Sequence, residues 1–180
     1  MFKDSKEKEL VFFFIKLFLI WLSWKGFIHI IGEQNVPFEK RYFPKISEAW
    51  ENFNFSLVRF LAVQSAAILN FIGYEAYSFG RIVWIEGFSG VGIGNYCIGL
   101  QLMYYFSMLI LISDISLINK FIAVPTGLFI TQVLNVIRIV VMNLITVYAP
   151  ELIIFFHDHV FNVIVFGTLI TFYYFLNKTK

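Results

Sequence analysis

Long apolar stretches constrain the fold of this chain more than any other feature. Three of them are clear, at residues 97–112, 121–147 and 157–176, and residues 10–31 form a plausible first one. A helix needs about 20 predominantly apolar residues to cross the hydrocarbon core of a bilayer. Because backbone groups inside lipid must satisfy their own hydrogen bonds, the expected fold class is all-α, a polytopic transmembrane helical bundle of four or five spans.

Composition supports the same class. Hydrophobic residues make up 59% of the 180 and charged residues 14%, whereas soluble domains have about 45–50% and about 25%. Too little polar surface remains to cover a soluble domain of this length. The single cysteine excludes a disulfide-stabilised secreted module, and the net charge of +2 gives no argument for nucleic acid as a partner.

We expect residues 1–180 to form one integral membrane domain. Its predicted parts are a charged tail at 1–9, a first span at 10–31, a linker at 32–96 and a three-helix core at 97–176. The first span is too long for the apolar region of a signal peptide. Bulky Trp21 and Trp24 also stand where a cleavage site would need small residues, so an uncleaved anchor is expected.

Two parts of the linker carry structural signals. Residues 55–79 are apolar but interrupted by polar side chains, so they form either a second spanning helix or an amphipathic helix at the interface. Residues 80–96 contain five of the eleven glycines. The β-branched and aromatic residues of 81–86 favour a short strand or hairpin before the helix predicted at 97–112, and the glycines that follow favour a tight loop.

The lysines predict the orientation. Cytoplasmic loops carry an excess of Lys and Arg, and the lysines at both ends of the chain and Lys120 can be cytoplasmic together only with an even number of spans. We therefore favour four spans, with 1–9 cytoplasmic and 32–96 outside. A five-span arrangement would place 32–54 inside; both arrangements place 80–96 and 148–156 outside.

Cys97, Arg138 and His157 are predicted to lie at the same depth near the outer interface. Each is about 17 to 20 residues from the inner end of its span, which is roughly 26 to 30 Å of helix. They belong to three different helices. Because the helices of a bundle face one another, these three side chains can meet at one site.

The setting of Cys97 and Arg138 favours function over packing. A lone membrane cysteine is usually a small hydrophobe, but Cys97 follows the glycine-rich residues 90–96 at a predicted helix start, where backbone N–H groups favour a thiolate. Arg138 is costly inside a span unless it faces the bundle interior or snorkels outward. Asn135 lies on the same helix face and could hold its guanidinium.

Two histidines flank Asp158. His157 and His159 could bind a metal, but no third ligand is obvious nearby. Residues two apart on a helix do not share a face, so only one can point toward Cys97 and Arg138. We predict that His157 faces Cys97 and Arg138, since it begins the apolar run of the last span. The alternative is that both histidines only lie at the membrane interface.

Cysteine, histidine and arginine together can perform acyl transfer. A thiolate attacks a carbonyl, histidine serves as general base and then acid, and arginine stabilises the oxyanion or holds the substrate backbone.

These residues resemble the exosortase/archaeosortase family. The resemblance rests on Cys97-Ile98-Gly99-Leu100, Asn135-Val136-Ile137-Arg138 and His157, and it covers residues 55–176. The family commonly has Ser or Ala where this chain has Ile98. Its members are multi-spanning membrane cysteine transpeptidases with a Cys, an Arg and a His in this order.

The resemblance implies a function for each of these residues. Cys97 would form a thioester with an exported protein whose C-terminal signal is a short motif, a transmembrane helix and a basic tail. Arg138 would act electrostatically and His157 would transfer protons, with no cofactor and no metal. The product would go to a lipid or surface acceptor, at the extracytoplasmic face of the plasma (inner) membrane.

Two other functions stay open at this point. A non-enzymatic membrane assembly or biogenesis factor with the same fold would use segment 32–96 to contact a partner and would not need Cys97. A proton- or ion-coupled transporter would use Arg138, His157 and Asp158 as a relay. The clustering of these groups at one face, away from the midplane, argues against transport.

Overall fold

The computed structural model describes residues 5–32 and 41–178 of the chain, with side chains at 11–31 and 41–176. The predicted tail at 1–9 therefore lies partly outside the described residues, and so does the linker over 33–40. The chain divides into two compact units, Met1–Glu51 and Asn52–Lys180.

The first unit contains one long helix and the start of another. Helix α1 spans Ser5–Phe27 and continues as a π-helical turn over Ile28–Gly32. The start of α2, which spans Pro44–Phe71, contributes Trp50, whose ring lies 5.0 Å from that of Phe27 and 6.4 Å from that of Trp24. These aromatic contacts hold α1 against the first turns of α2.

A small antiparallel sheet follows α2 in the second unit. Its strands are β1 (Ala76–Phe79), β2 (Ile82–Ile85) and β3 (Val91–Gly92), in the order β1-β2-β3. Asn70 joins α2 to the sheet, because its side chain donates to the carbonyl of Ala76 and accepts from the amide of Ala76. The hairpin predicted within 80–96 is thus confirmed as β2 and β3. The expectation that 55–79 is helical throughout is wrong at its end, because α2 ends at Phe71, the chain turns at Gly73 with φ of 96°, and residues 76–79 form β1.

Three long helical segments complete the second unit. Helix α3 spans Leu100–Ile112 and α4 spans Leu117–Tyr148. A 3-10 turn (Pro150–Leu152), the single turn α5 (Ile153–Phe155) and a π-helical turn (Phe156–Val160) then lead into α6, which spans Phe161–Lys178.

Four helical segments in the described ranges are long and apolar enough to cross a membrane: Val11–Ile31, Asn95–Ile112, Leu117–Tyr148 and Pro150–Leu176. Helix α2 is not among them. The predicted fold class, a polytopic helical membrane protein of four or five spans with a small extended element before the helix of the 97–112 stretch, is confirmed.

Buried side chains anchor the segment that carries Cys97. Ile98 is fully buried in a cluster that also contains Leu61 of α2, Val83 of β2 and Ile139 of α4. The turn around Cys97 is therefore fixed to three other elements. On the outer faces of α4 and α6, large apolar side chains such as Phe121 and Ile170 are exposed, as expected where lipid replaces water.

Helices α3 and α4 approach closely at Gly127, which gives a first prediction. A Cβ added there would overlap the buried ring of Phe106. We expect Gly127→Ala to cost about 1–3 kcal/mol of stability, since the ring cannot move without disturbing its neighbours. Thermal unfolding of the purified protein in detergent measures this.

Gly167 on α6 supplies the matched control. A Cβ at Gly167 would meet nothing within 4 Å, so Gly167→Ala should unfold at or above the wild-type temperature. Equal loss in both variants would contradict the close approach at Gly127.

Candidate active site

Cys97 lies in a short 3-10 turn, Asn95–Ile98, directly before α3. Its amide donates to the carbonyl of Gly94 at 2.9 Å. Gly99 then adopts a left-handed conformation with φ of 73°, and α3 begins at Leu100. The expectation that Cys97 opens the helix is therefore wrong by three residues, because the left-handed Gly99 separates the turn from the helix.

Two side chains of α4 hold this turn in place. The carbonyl of Ile98 accepts hydrogen bonds from Asn135 Nδ2 at 3.0 Å and from Gln132 Nε2 at 3.2 Å. Glycine is required at 99, since a Cβ there would lie 2.8 Å from Asn135 Nδ2. The expectation that Asn135 holds the guanidinium of Arg138 is not met: Asn135 Nδ2 donates to the carbonyl of Ile98, and the guanidinium donates to the carbonyl of His157.

His157 is the histidine that faces Cys97. Its Nε2 lies 3.6 Å from Cys97 Sγ, within reach of a hydrogen bond to sulfur. Its Nδ1 lies 2.7 Å from Asp158 Oδ1. His159 instead stacks on Phe155, with 5.5 Å between ring centroids. The structure thus brings His157 and Cys97 together and leaves His159 outside the site.

The contact between His157 and Asp158 was missed by sequence reasoning. Neighbouring residues on a regular α-helix do not face each other. Here both lie in the π-helical turn Phe156–Val160, which changes the side-chain directions that a regular helix would give. The acidic residue next to a candidate histidine was the one available signal.

Arg138 reaches the same place from α4. Its Nη2 donates to the carbonyl of His157 at 3.1 Å, and its Cζ lies 5.7 Å above the Phe161 ring. The side chain is half-buried. Among the described side chains, no carboxylate lies within ion-pair distance of this guanidinium, so its positive charge is available to a ligand.

A cavity of 210 Å³ lies between α3, α4 and α6 at this point. Its lining includes Cys97, Gly99, Asn135, Arg138 and Asn162, with Val165 and Phe166 on the α6 side. The N-terminus of α3 also borders the cavity. The capping residue there is Gly99, which has no side chain to accept hydrogen bonds from the first amides of α3.

These groups suit one kind of chemistry. A half-buried guanidinium and free helix N-terminal amides both favour negative charge, and they flank a thiol that has an imidazole at hydrogen-bonding distance. Within residues 11–31 and 41–176, no three His, Cys, Asp or Glu side chains gather where they could hold a metal ion. The thiol, the imidazole and the positively charged groups together can attack a carbonyl carbon and stabilise the oxyanion that forms.

Comparison with known proteins gives one match. The family model described as transmembrane exosortase matches residues 9–175, which is most of the chain. Searches of curated proteins and of solved structures gave no match.

Proposed function

We propose that this chain, which belongs to the transmembrane exosortase family, is a membrane cysteine protease and transpeptidase that uses Cys97, His157 and Arg138. Family membership supports a transpeptidase-type role in a multi-pass membrane protein. The substrates proposed are exported proteins that end in a short motif, a transmembrane helix and a basic tail. The enzyme would cut them near the outer interface and pass them to a lipid or surface acceptor.

The observation that carries the proposal is the 3.6 Å distance between Cys97 Sγ and His157 Nε2. His157 takes the thiol proton, and the thiolate attacks the scissile carbonyl carbon. When the tetrahedral intermediate collapses, the C–N bond breaks and His157 gives the proton to the leaving amine. The substrate is left as a thioester on Cys97, and its transmembrane helix and basic tail are released.

Asp158 is proposed to position the imidazole. With Oδ1 2.7 Å from His157 Nδ1, its carboxylate fixes the tautomer in which Nε2 can accept a proton from sulfur. The same carboxylate stabilises the imidazolium once the proton has moved.

The second half of the reaction uses the same groups. A hydroxyl or amine of the acceptor attacks the thioester carbonyl and loses its proton to His157, and Cys97 leaves as a thiolate that then takes this proton back. Water in place of the acceptor would release the substrate instead. Either nucleophile gives a balanced reaction without a cofactor.

The oxyanion has two stabilising groups within reach. Arg138 lines the cavity beside Cys97 and forms no ion pair with a described carboxylate. The first amides of α3 supply the positive end of a helix of 13 residues.

The site is proposed to face the extracytoplasmic side. Lys120 lies at the opposite end of α4 from the site, where it donates to the carbonyl of Leu111. Positive charge at that end favours the cytoplasm. A substrate anchored by its own transmembrane helix would then present its scissile bond at the depth of Cys97.

Arg138 gives a second prediction. We expect Arg138→Gln to lower the rate of processing by about 10²- to 10³-fold, the usual cost of removing an oxyanion-stabilising group. Arg138→Lys keeps the charge but loses the planar donor arrangement, so it should recover only part of the rate. Single-turnover formation of the acyl-enzyme measures both variants, and full activity of Arg138→Gln would contradict the proposed role.

The function is tested by trapping the thioester. Purified protein in liposomes is incubated with a peptide that carries a candidate C-terminal signal from the source genome, and intact mass is measured after acid quenching. We expect Cys97 to gain the mass of the N-terminal part of the peptide. A stable complex with the uncleaved peptide, unaffected by removal of Cys97, would favour the non-enzymatic assembly factor instead.

A further inference from the structure

Strand β3 ends close to the nucleophile and has an open edge. Among residues 5–32 and 41–178 it pairs with β2 alone, since the sheet order is β1-β2-β3. A Cβ placed on Gly94, two residues after β3, would lie 4.0 Å from Cys97 Sγ. The chain that continues β3 therefore passes beside the sulfur.

The register of the sheet shows which backbone groups of β3 are unused. Val83 is opposite Val91 and Ile82 is opposite Gly92, while the amide of Ile93 donates to the carbonyl of Arg81 at 2.8 Å. In an antiparallel pair, hydrogen-bonded and non-hydrogen-bonded residues alternate. The N–H and C=O of Gly92 consequently point away from β2, toward the open edge.

The fold itself does not require glycine at 92. Its φ is not in the left-handed region, and a Cβ there would meet nothing within 4 Å. It is also exposed. Gly90 differs, because a Cβ there would lie 2.7 Å from the side chain of Ile82. A glycine inside a strand without an internal reason commonly marks the close approach of a ligand or of another backbone.

We propose that the substrate segment next to the scissile bond binds as an extended strand on the free edge of β3. Its main chain would form a pair of hydrogen bonds with the N–H and C=O of Gly92. One or two residues further along, at about 3.3 Å per residue, the scissile carbonyl would reach Cys97. This inference rests on the proposed function and adds the main-chain mode of substrate binding.

Two alanine chloromethyl ketones test this pairing without knowledge of the natural signal. Acetyl-alanyl chloromethyl ketone reports the reactivity of the thiol, since Sγ displaces chloride to form a thioether. Acetyl-tetra-alanyl chloromethyl ketone adds a chain long enough to reach Gly92. With the full chain in detergent, intact mass gives both alkylation rates. We expect the longer reagent to react about tenfold faster, which corresponds to two main-chain hydrogen bonds.

Proline at two matched edge positions separates pairing from general damage to the sheet. Gly92→Pro removes the outward N–H of β3, one of the two groups that pair, and should lower the ratio of the two rates by about threefold. Ser78→Pro removes the corresponding outward N–H at the opposite edge, in β1, where Ser78 faces Val83 in the register. We expect the ratio to stay at the wild-type value in Ser78→Pro.

Other outcomes overturn the inference or its premise. If the ratio of the two alkylation rates is the same in wild type and in Gly92→Pro, the strand pairing is overturned and the proposed function is not. If Cys97 does not react with the short reagent, the proposed function itself is overturned. If Gly92→Pro does not fold, the wild-type protein is instead treated with tetra-alanyl reagents that are each N-methylated at a different alanine. If every one of them alkylates Cys97 as fast as the unmethylated reagent, the pairing is overturned. If the wild-type protein is a dimer that Gly92→Pro dissociates, the free edge of β3 binds a second copy of the chain, and the substrate pairing is overturned as well.

Discussion

Cys97→Ala should leave a signal-bearing exported protein uncleaved in cells that express the variant. The thiolate forms the covalent bond in the proposed reaction, and no other cysteine exists in the chain. We expect the rate to fall by about 10⁴- to 10⁶-fold, the usual loss when the nucleophile of a catalytic triad is removed. Immunoblotting of the full-length and processed substrate measures the effect.

Two controls make the result specific. Cys97 is only partly buried, so alanine there should cost little stability, and membrane fractionation should find the variant inserted at the wild-type level. Cys97→Ser keeps a nucleophilic atom of similar position and should retain at most a trace of activity. Normal processing by Cys97→Ala would refute the enzyme and favour the assembly factor.

His157→Asn is expected to have the next largest effect, a fall of about 10²- to 10⁴-fold in the rate of thioester formation. Asparagine keeps a polar side chain of comparable size but cannot take the thiol proton. The expected loss therefore reports proton transfer across the 3.6 Å contact with Cys97 Sγ. Single-turnover acylation, followed by intact mass, measures it.

His159→Asn is the matched control. His159 lies two residues further along the same π-helical turn and contacts Phe155, not Cys97. We expect its acylation rate to remain within about twofold of wild type, as for surface substitutions away from a site. If both variants lose the same acylation rate, the π-helical turn matters only for structure. If only His159→Asn loses rate, His159 and not His157 transfers the proton.

Much of the fold could be predicted from sequence because lipid leaves few alternatives. A long apolar stretch inside a bilayer must be a helix, so residues 97–112, 121–147 and 157–176 identified three helical segments. Their observed bounds are Asn95–Ile112, Leu117–Tyr148 and Pro150–Leu176. The hairpin was predictable from the β-branched residues of 81–86 and the glycines that follow. The first strand, β1, was not, since its residues 76–79 continue the apolar segment 55–79 that was expected to be helical, whereas α2 ends at Phe71.

The candidate site was predictable in position but not in its contacts. The constant rise of a helix converts sequence separation into depth, and that alone put Cys97, Arg138 and His157 at one level. The partner of Asn135 depended on the left-handed Gly99, which exposes the carbonyl of Ile98. The contact of Asp158 with His157 depended on a π-helical turn. Neither backbone irregularity has a reliable sequence signature.

The sequence by itself determined that this is a membrane protein and which few polar residues bear on its chemistry. Burying a charge or leaving a backbone group unpaired in lipid is so costly that composition and spacing answer those questions. The tertiary structure decided which histidine meets Cys97, what holds the turn before α3, and where β3 leaves an open edge. These depend on contacts a few ångströms long between distant segments, and hydropathy and helical rise carry no information about them.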